Sequence, residues 1–160
     1  MSAPRAPGPP LCRRARRRRA SRPSWTIPPG VEQSHRYRNI VVAYDETEGA
    51  RAALRRAAGL AELDRASLTL VQAGVDEAHA RRSLESAASS LDPSLEASPW
   101  VVAGPAGKGI LAVAGEIHAD LIACGSRARG PIGRAVLGSV STELVHDAPC
   151  DVLVVHPVGD

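Results

Sequence analysis

Phenylalanine is missing altogether, and two tryptophans and two tyrosines hold the aromatic share of the 160 residues at 2%. A hydrophobic core must therefore be assembled from Ala, Val, Leu and Ile. Cysteine is scarce as well. Cys12, Cys124 and Cys150 form no CxxC pair and are odd in number, which argues against a disulfide framework and fits reduced, cytosolic usage. In the strand-like runs that hold them, Cys124 and Cys150 read as small buried hydrophobes. No run approaches the roughly 18 consecutive apolar residues of a membrane helix. Nor does a hydrophobic segment follow the N-terminal arginines, as secretory or twin-arginine export would require. The five histidines lack metal-ligand spacing. There is no GxSxG elbow, no Ser/His/Asp arrangement and no carboxylate pair placed for acid–base work. GPAGKG (104–109) lacks the spacing of a phosphate loop, since Gly109 follows Lys108 where Ser or Thr is needed.

What is present divides sharply by charge. Residues 1–38 carry ten arginines against one acid, Glu32, a net of +9. Residues 39–160 carry ten bases and sixteen acids, a net of −6, so the overall +3 averages two unlike pieces. Residues 1–36, rich in Pro, Arg and Ser and containing CRRARRRRASR, cannot bury enough apolar area to offset their ordering entropy and read as a disordered tail. Attachment to nucleic acid or anionic lipid is one reading of the arginines. An extension without function is the other, and it is preferred because no aromatic residue interleaves with them.

From Tyr37 onward the length suits one domain, and strand-like and helix-like segments alternate. The β-rich runs are RNIVVAY (38–44), SLTLVQA (67–73), PWVVA (99–103), ADLIAC (119–124) and DVLVVH (151–156). Between them Ala50, Ala53, Leu54, Ala57 and Ala61, then Ala80, Leu84, Ala87 and Leu91, then Ile110, Val113, Ala114 and Ile117 follow helical spacing. A last short helix is predicted to begin near Gly138 and Ser139 and to include Val140 and Leu144. Near-continuous apolar strands alternating with amphipathic helices imply a doubly wound α/β domain, a parallel sheet with helices on both faces.

In such sheets ligands bind beyond the carboxyl ends of the strands, where the strand order reverses. The first run ends in Ala43-Tyr44-Asp45 and the fourth in Cys124-Gly125-Ser126. If the two strands are neighbours at that point, Asp45 and the segment GSRARGPIGRAVLGSVS (125–141) face one crevice. Gly125 lets the chain leave a buried strand. Gly138 precedes Ser139, Val140 and Ser141 at a helix start, whose free N–H groups and positive dipole end suit a phosphate. Arg127, Arg129 and Arg134 add positive charge. Each feature has a plainer alternative. Asp45 and Glu48 have capping-box spacing, Ser139 could be an ordinary N-cap, and the arginines could line a solvated loop.

VAYDETE, ADLIACGSRARG, VLGSVSTELV and HDAPCDVLVV, in this order and at these separations, resemble the universal stress protein family over Tyr37 to Val158, about three quarters of the chain. The resemblance implies a single five-stranded parallel sheet of the adenine nucleotide α-hydrolase-like type, filling residues 37–158. It implies ATP as ligand, with Mg2+ as a candidate companion, held by a G-x2-G-x9-G-S/T loop. The first glycine of that loop falls on Gly125, the third on Gly138 and the terminal serine on Ser139. Ala128 stands where the second glycine belongs. By the same resemblance Ala43, Tyr44 and Asp45 hold adenine and ribose, and Ala73 lines the adenine pocket. Gly125 and Arg127 approach ribose and phosphates, and Gly138, Ser139, Val140 and Ser141 hold phosphates. The expected protein is a cytoplasmic stress-response regulator, at most a slow ATPase, forming a homodimer through the last strand (151–156). A nucleotide-free dimeric interaction module is the alternative.

Overall fold

The computed structural model describes residues 37–74, 76–126 and 137–157. The tail (1–36), Arg127, Ala128, Arg129, Arg134 and Val158 lie outside these residues. The elements run β1 (Asn39–Ala43), α1 (Glu48–Asp64), β2 (Ser67–Ala73), α2 (Glu77–Ser89), β3 (Ala97–Val102), α3 (Ala106–Glu116), β4 (Leu121–Gly125), α4 (Ser139–Asp147) and β5 (Asp151–Val155). All pairings are parallel and the strand order is β3-β2-β1-β4-β5. The chain winds outward from β1 to β3, then returns to the other side of β1 with β4 and continues to β5. This is the doubly wound sheet expected from the sequence, and its switch point lies between β1 and β4.

The two-residue period of the strands sorts their side chains onto two helical layers. Ile40, Val42, Leu68, Leu70, Leu121 and Ala123 meet Ala50, Leu54, Ala57 and Ala61 of α1 and Leu84 and Ala87 of α2. Val41, Val71, Ile122 and Cys124 meet Ile110, Val113 and Ala114 of α3 and Leu144 of α4. In place of aromatic side chains, an alanine stripe on α1 brings that helix down close to the sheet.

The main departures from the sequence reading are at boundaries. β3 begins two residues earlier than expected, at Ala97; it is an edge strand, where Pro99 can sit without its missing N–H breaking a ladder between two neighbours. Leu91 falls beyond α2, which ends at Ser89. Gly107 and Gly109 of the GPAGKG segment serve packing at the start of α3. A Cβ at Gly107 would strike the Glu143 carboxylate of α4, and one at Gly109 would lie 2.6 Å from Cγ2 of Val102.

The tightest constraint joins β4 to α1. A Cβ on Gly125 would collide with the backbone of Gly49 and lie 2.5 Å from the amide nitrogen of Ala50. A Cβ on Gly49 would in turn strike the carbonyl oxygen of Ser126. These partners are backbone atoms, which a side-chain rotation cannot move aside. Gly59, on the same helix, has nothing within 4 Å of an added Cβ. The Gly49→Ala protein is therefore expected to lose about 1–3 kcal/mol of stability through overpacking, whereas Gly59→Ala gains about 0.5–1 kcal/mol from helix propensity alone. Urea denaturation midpoints of the two variants test the contrast, and shifts of the same sign would refute it.

Candidate functional site

At the carboxyl ends of the central strands lies a cavity of about 580 Å3. Its walls come from three strand ends, three helix starts and Pro157. β1 and the turn after it supply Ala43, Tyr44, Asp45 and Thr47, and β2 supplies Val71 and Ala73. β4 and the residue after it supply Cys124, Gly125 and Ser126, while the starts of α1, α3 and α4 close the remaining sides. Val71, Ile110 and Cys124 line it and also belong to the core layer under α3 and α4, so one wall is apolar and fixed by core packing.

The β1–α1 turn holds Asp45 at the mouth. Oδ1 of Asp45 accepts hydrogen bonds from the backbone N–H of Thr47 at 3.2 Å and from its hydroxyl at 2.6 Å. The Thr47 hydroxyl oxygen accepts the N–H of Ala50 at 3.2 Å, so Thr47 is the N-cap of α1. The capping-box expectation for Asp45 and Glu48 is corrected accordingly. Asp45 lies two residues before the cap and orients it, which leaves the second carboxylate oxygen for other partners. Glu46 between them sits in the left-handed region with φ 62°, a conformation uncommon for a residue with a side chain. Its carboxylate faces α2, where His79 Nε2 lies 3.5 Å from Oε2. The turn is thereby tied to α2.

The opposite wall is the start of α4. α1 and α2 have side-chain caps, from Thr47 and Asp76. α4 has none: its N-cap is Gly138, at φ −73° and ψ 168°, and no side chain caps the first turn. Ser139 is the first helical residue, so its reading as an ordinary N-cap is corrected. The Ser141 hydroxyl is buried and donates to the Gly138 carbonyl at 3.0 Å. What this helix end offers a ligand is backbone N–H groups and the positive end of its dipole.

The structure brings Ala43, Tyr44, Asp45, Ala73, Gly125, Gly138, Val140 and Ser141 to the cavity. Ser139 is exposed and is not among the lining residues. The sequence reading missed Thr47, Glu48, Gly49, Ala50, Val71, Ala106, Ile110, Cys124, Ser126 and Pro157. For Ser126 and Cys124 the signal was present, because both belong to the quoted end of the fourth run. Ala106 and Ile110 carried no such signal; the winding of the chain places them there. Among the described residues no group of three or more His, Cys, Asp or Glu could hold a metal. None of the described helices is long and apolar enough to cross a membrane.

Residues 36–156 match the family model for the universal stress protein family. The chain belongs to the universal stress protein family. A Staphylococcus aureus (strain USA300) relative bearing that family name is 31% identical over 141 residues, covering 75% of this chain and 84% of the relative. Among solved structures, a universal stress protein from Archaeoglobus fulgidus is 28% identical with a TM-score of 0.66, covering 74% of this chain and 98% of that one. Another, a universal stress protein in complex with cAMP, is 26% identical with a TM-score of 0.66, covering 76% and 98%.

Burial makes one chemical property of the site explicit. The Cys124 thiol is pushed up to about 11 by desolvation, so it stays protonated and unreactive at neutral pH. Cys150 is half-buried and raised too, by desolvation first and then by Asp151 and Asp120. Iodoacetamide labelling of the native protein near neutral pH, read by peptide mass spectrometry, is expected to modify Cys150 before Cys124. Cys124 should be labelled only after unfolding in urea; its modification in the folded protein would contradict the assignment.

Proposed function

We propose that this protein is a cytoplasmic adenine-nucleotide-binding regulator whose ligand is ATP. The observation that carries this reading is the convergence of Asp45 and the uncapped start of α4 on one cavity at the switch point. A volume of about 580 Å3 lies within the roughly 300–1,000 Å3 range of small-molecule sites. Support also comes from the family relative solved in complex with cAMP, a ligand with the same base.

In this reading Ala43, Tyr44 and Ala73 border adenine, and the free oxygen of Asp45 accepts from ribose hydroxyls. Gly125 admits the sugar and phosphates close to the backbone. The N–H groups at Gly138, Ser139, Val140 and Ser141 receive phosphate oxygens, and Arg127 and Ala128 belong to the sequence segment between β4 and α4. Magnesium, where present, is held through the triphosphate oxygens, as is usual for this hard cation. The role is regulatory: nucleotide occupancy changes what the protein does, with hydrolysis slow at most.

A second reading, a nucleotide-free dimeric interaction module, is favoured by one observation, Ala128 in place of the second motif glycine. Mass spectrometry of the denatured, freshly purified protein separates the two, since co-purified adenine nucleotide supports the first and its absence the second. By calorimetry, Ala128→Gly is expected to tighten ATP binding by up to about tenfold, the equivalent of about 1.4 kcal/mol. Equal affinities would remove the steric argument.

The proposed assembly is a homodimer through β5 and the residue after it, residues 151–156. β5 hydrogen-bonds to β4 on one side and is the last strand of the sheet order. Val152, Leu153, Val154 and Val155 are half-buried along this edge, and an unpaired apolar edge is a hazard that pairing removes. Light scattering at micromolar concentration is expected to give the dimer mass. A monomer would overturn this arrangement.

A further inference from the structure

We propose that His156 is a positioning residue for the nucleotide cavity and that, through Ser126, it makes ligand affinity depend on pH. The inference rests on the nucleotide reading above and adds a proton to it.

The geometry is compact. The Ser126 N–H donates to the Val155 carbonyl at 2.8 Å, extending the β4–β5 ladder by one residue beyond the end of β4. This holds Ser126, buried at 3% exposure, in the cavity wall. Its hydroxyl oxygen lies 2.6 Å from Nδ1 of His156. His156 itself is exposed, so its ring exchanges protons freely with water while its partner stays inside. Pro157, the next residue, lines the same cavity.

The hydrogen-bond inventory of the two groups makes this a switch. A neutral imidazole with its proton on Nε2 accepts the Ser126 O–H at Nδ1, so the hydroxyl offers the cavity lone pairs alone. When the ring is protonated, Nδ1–H becomes the donor and Ser126 the acceptor. The hydroxyl hydrogen is then released to point at an anionic oxygen, and a positive charge stands behind it. The facing charged groups come from α1, where Glu48, Arg55 and Arg56 line the groove that His156 borders. Glu48 also lines the nucleotide cavity. A phosphate is thus received better by the protonated ring than by the neutral one. By linkage, the bound phosphate favours the protonated ring in return.

Calorimetry of ATP binding to the full chain at about pH 8 and about pH 5.5 tests the proposal in wild type, His156→Ala and Ser126→Ala. ATP's own γ-phosphate titration is common to all three and drops out of the comparison. Wild type is expected to gain about tenfold or more in affinity on acidification relative to His156→Ala, the size of one hydrogen bond to a charged group. Ser126→Ala should lose part of that gain. In parallel, nitrogen NMR of the ligand-free ring should show His156 in the Nε2–H form at high pH, with its titration altered by Ser126→Ala. Equal pH dependence in wild type and His156→Ala, or an unaltered ring titration, overturns the inference while leaving nucleotide binding intact. Absence of ATP binding by wild type at both pH values overturns the nucleotide reading and this inference with it.

Discussion

The contact on which the site depends is one between two stretches of backbone. Gly125 ends β4 against Gly49 in the first turn of α1, and neither position has room for a Cβ. That approach brings the Cys124-Gly125-Ser126 wall and the β1–α1 turn onto one cavity. Methyl groups at these positions would force the helix away from the strand end and widen the crevice. The same contact gives Gly125 a reason to be glycine before any ligand is considered. A motif glycine can therefore serve chain packing and ligand approach at once.

Around that contact the fold distributes its helix ends unequally. Thr47 and Asp76 cap the helices of one layer, whereas α3 and α4, which form the other layer, begin without a side-chain cap. Both uncapped ends contribute to the cavity, through Ala106 and through Gly138, Val140 and Ser141. Helix starts need partners for their first N–H groups, and withholding side-chain oxygens from these two leaves donors for an anionic ligand. The cavity's apolar wall has the opposite origin. Val71, Ile110 and Cys124 are core residues whose outer ends line the opening, so the site's shape is as rigid as the core that supports it.

The legibility of these features follows from how local each one is. The alternation of Ile40, Val41 and Val42 and the stripe Ala50, Ala53, Leu54, Ala57 and Ala61 are short-range patterns, and both predicted their elements. Pro99 misled because proline marks a strand start in isolation, while its tolerance inside β3 depends on that strand being at the edge. Asp45 was recognised as a helix-start residue, but the capping atom proved to belong to Thr47, with Asp45 supporting it through the 2.6 Å bond. A spacing rule cannot distinguish between these, because the outcome depends on the left-handed turn at Glu46.

The sequence by itself determined the elements, their two-faced burial, the ends of β1 and β4 as chemically unusual places, and the family likeness carried by the segments around them. Those are properties of neighbours along the chain, where side-chain period and turn chemistry act over a few residues. Only the tertiary structure decided that β4 lies beside β1, that Gly49 is the counterpart of Gly125, that Ala106 and Ile110 reach the cavity, and that His156 stands 2.6 Å from Ser126. These pairs are brought together by the winding of the sheet and the register of its strands, and no local pattern encodes a contact between residues tens of positions apart.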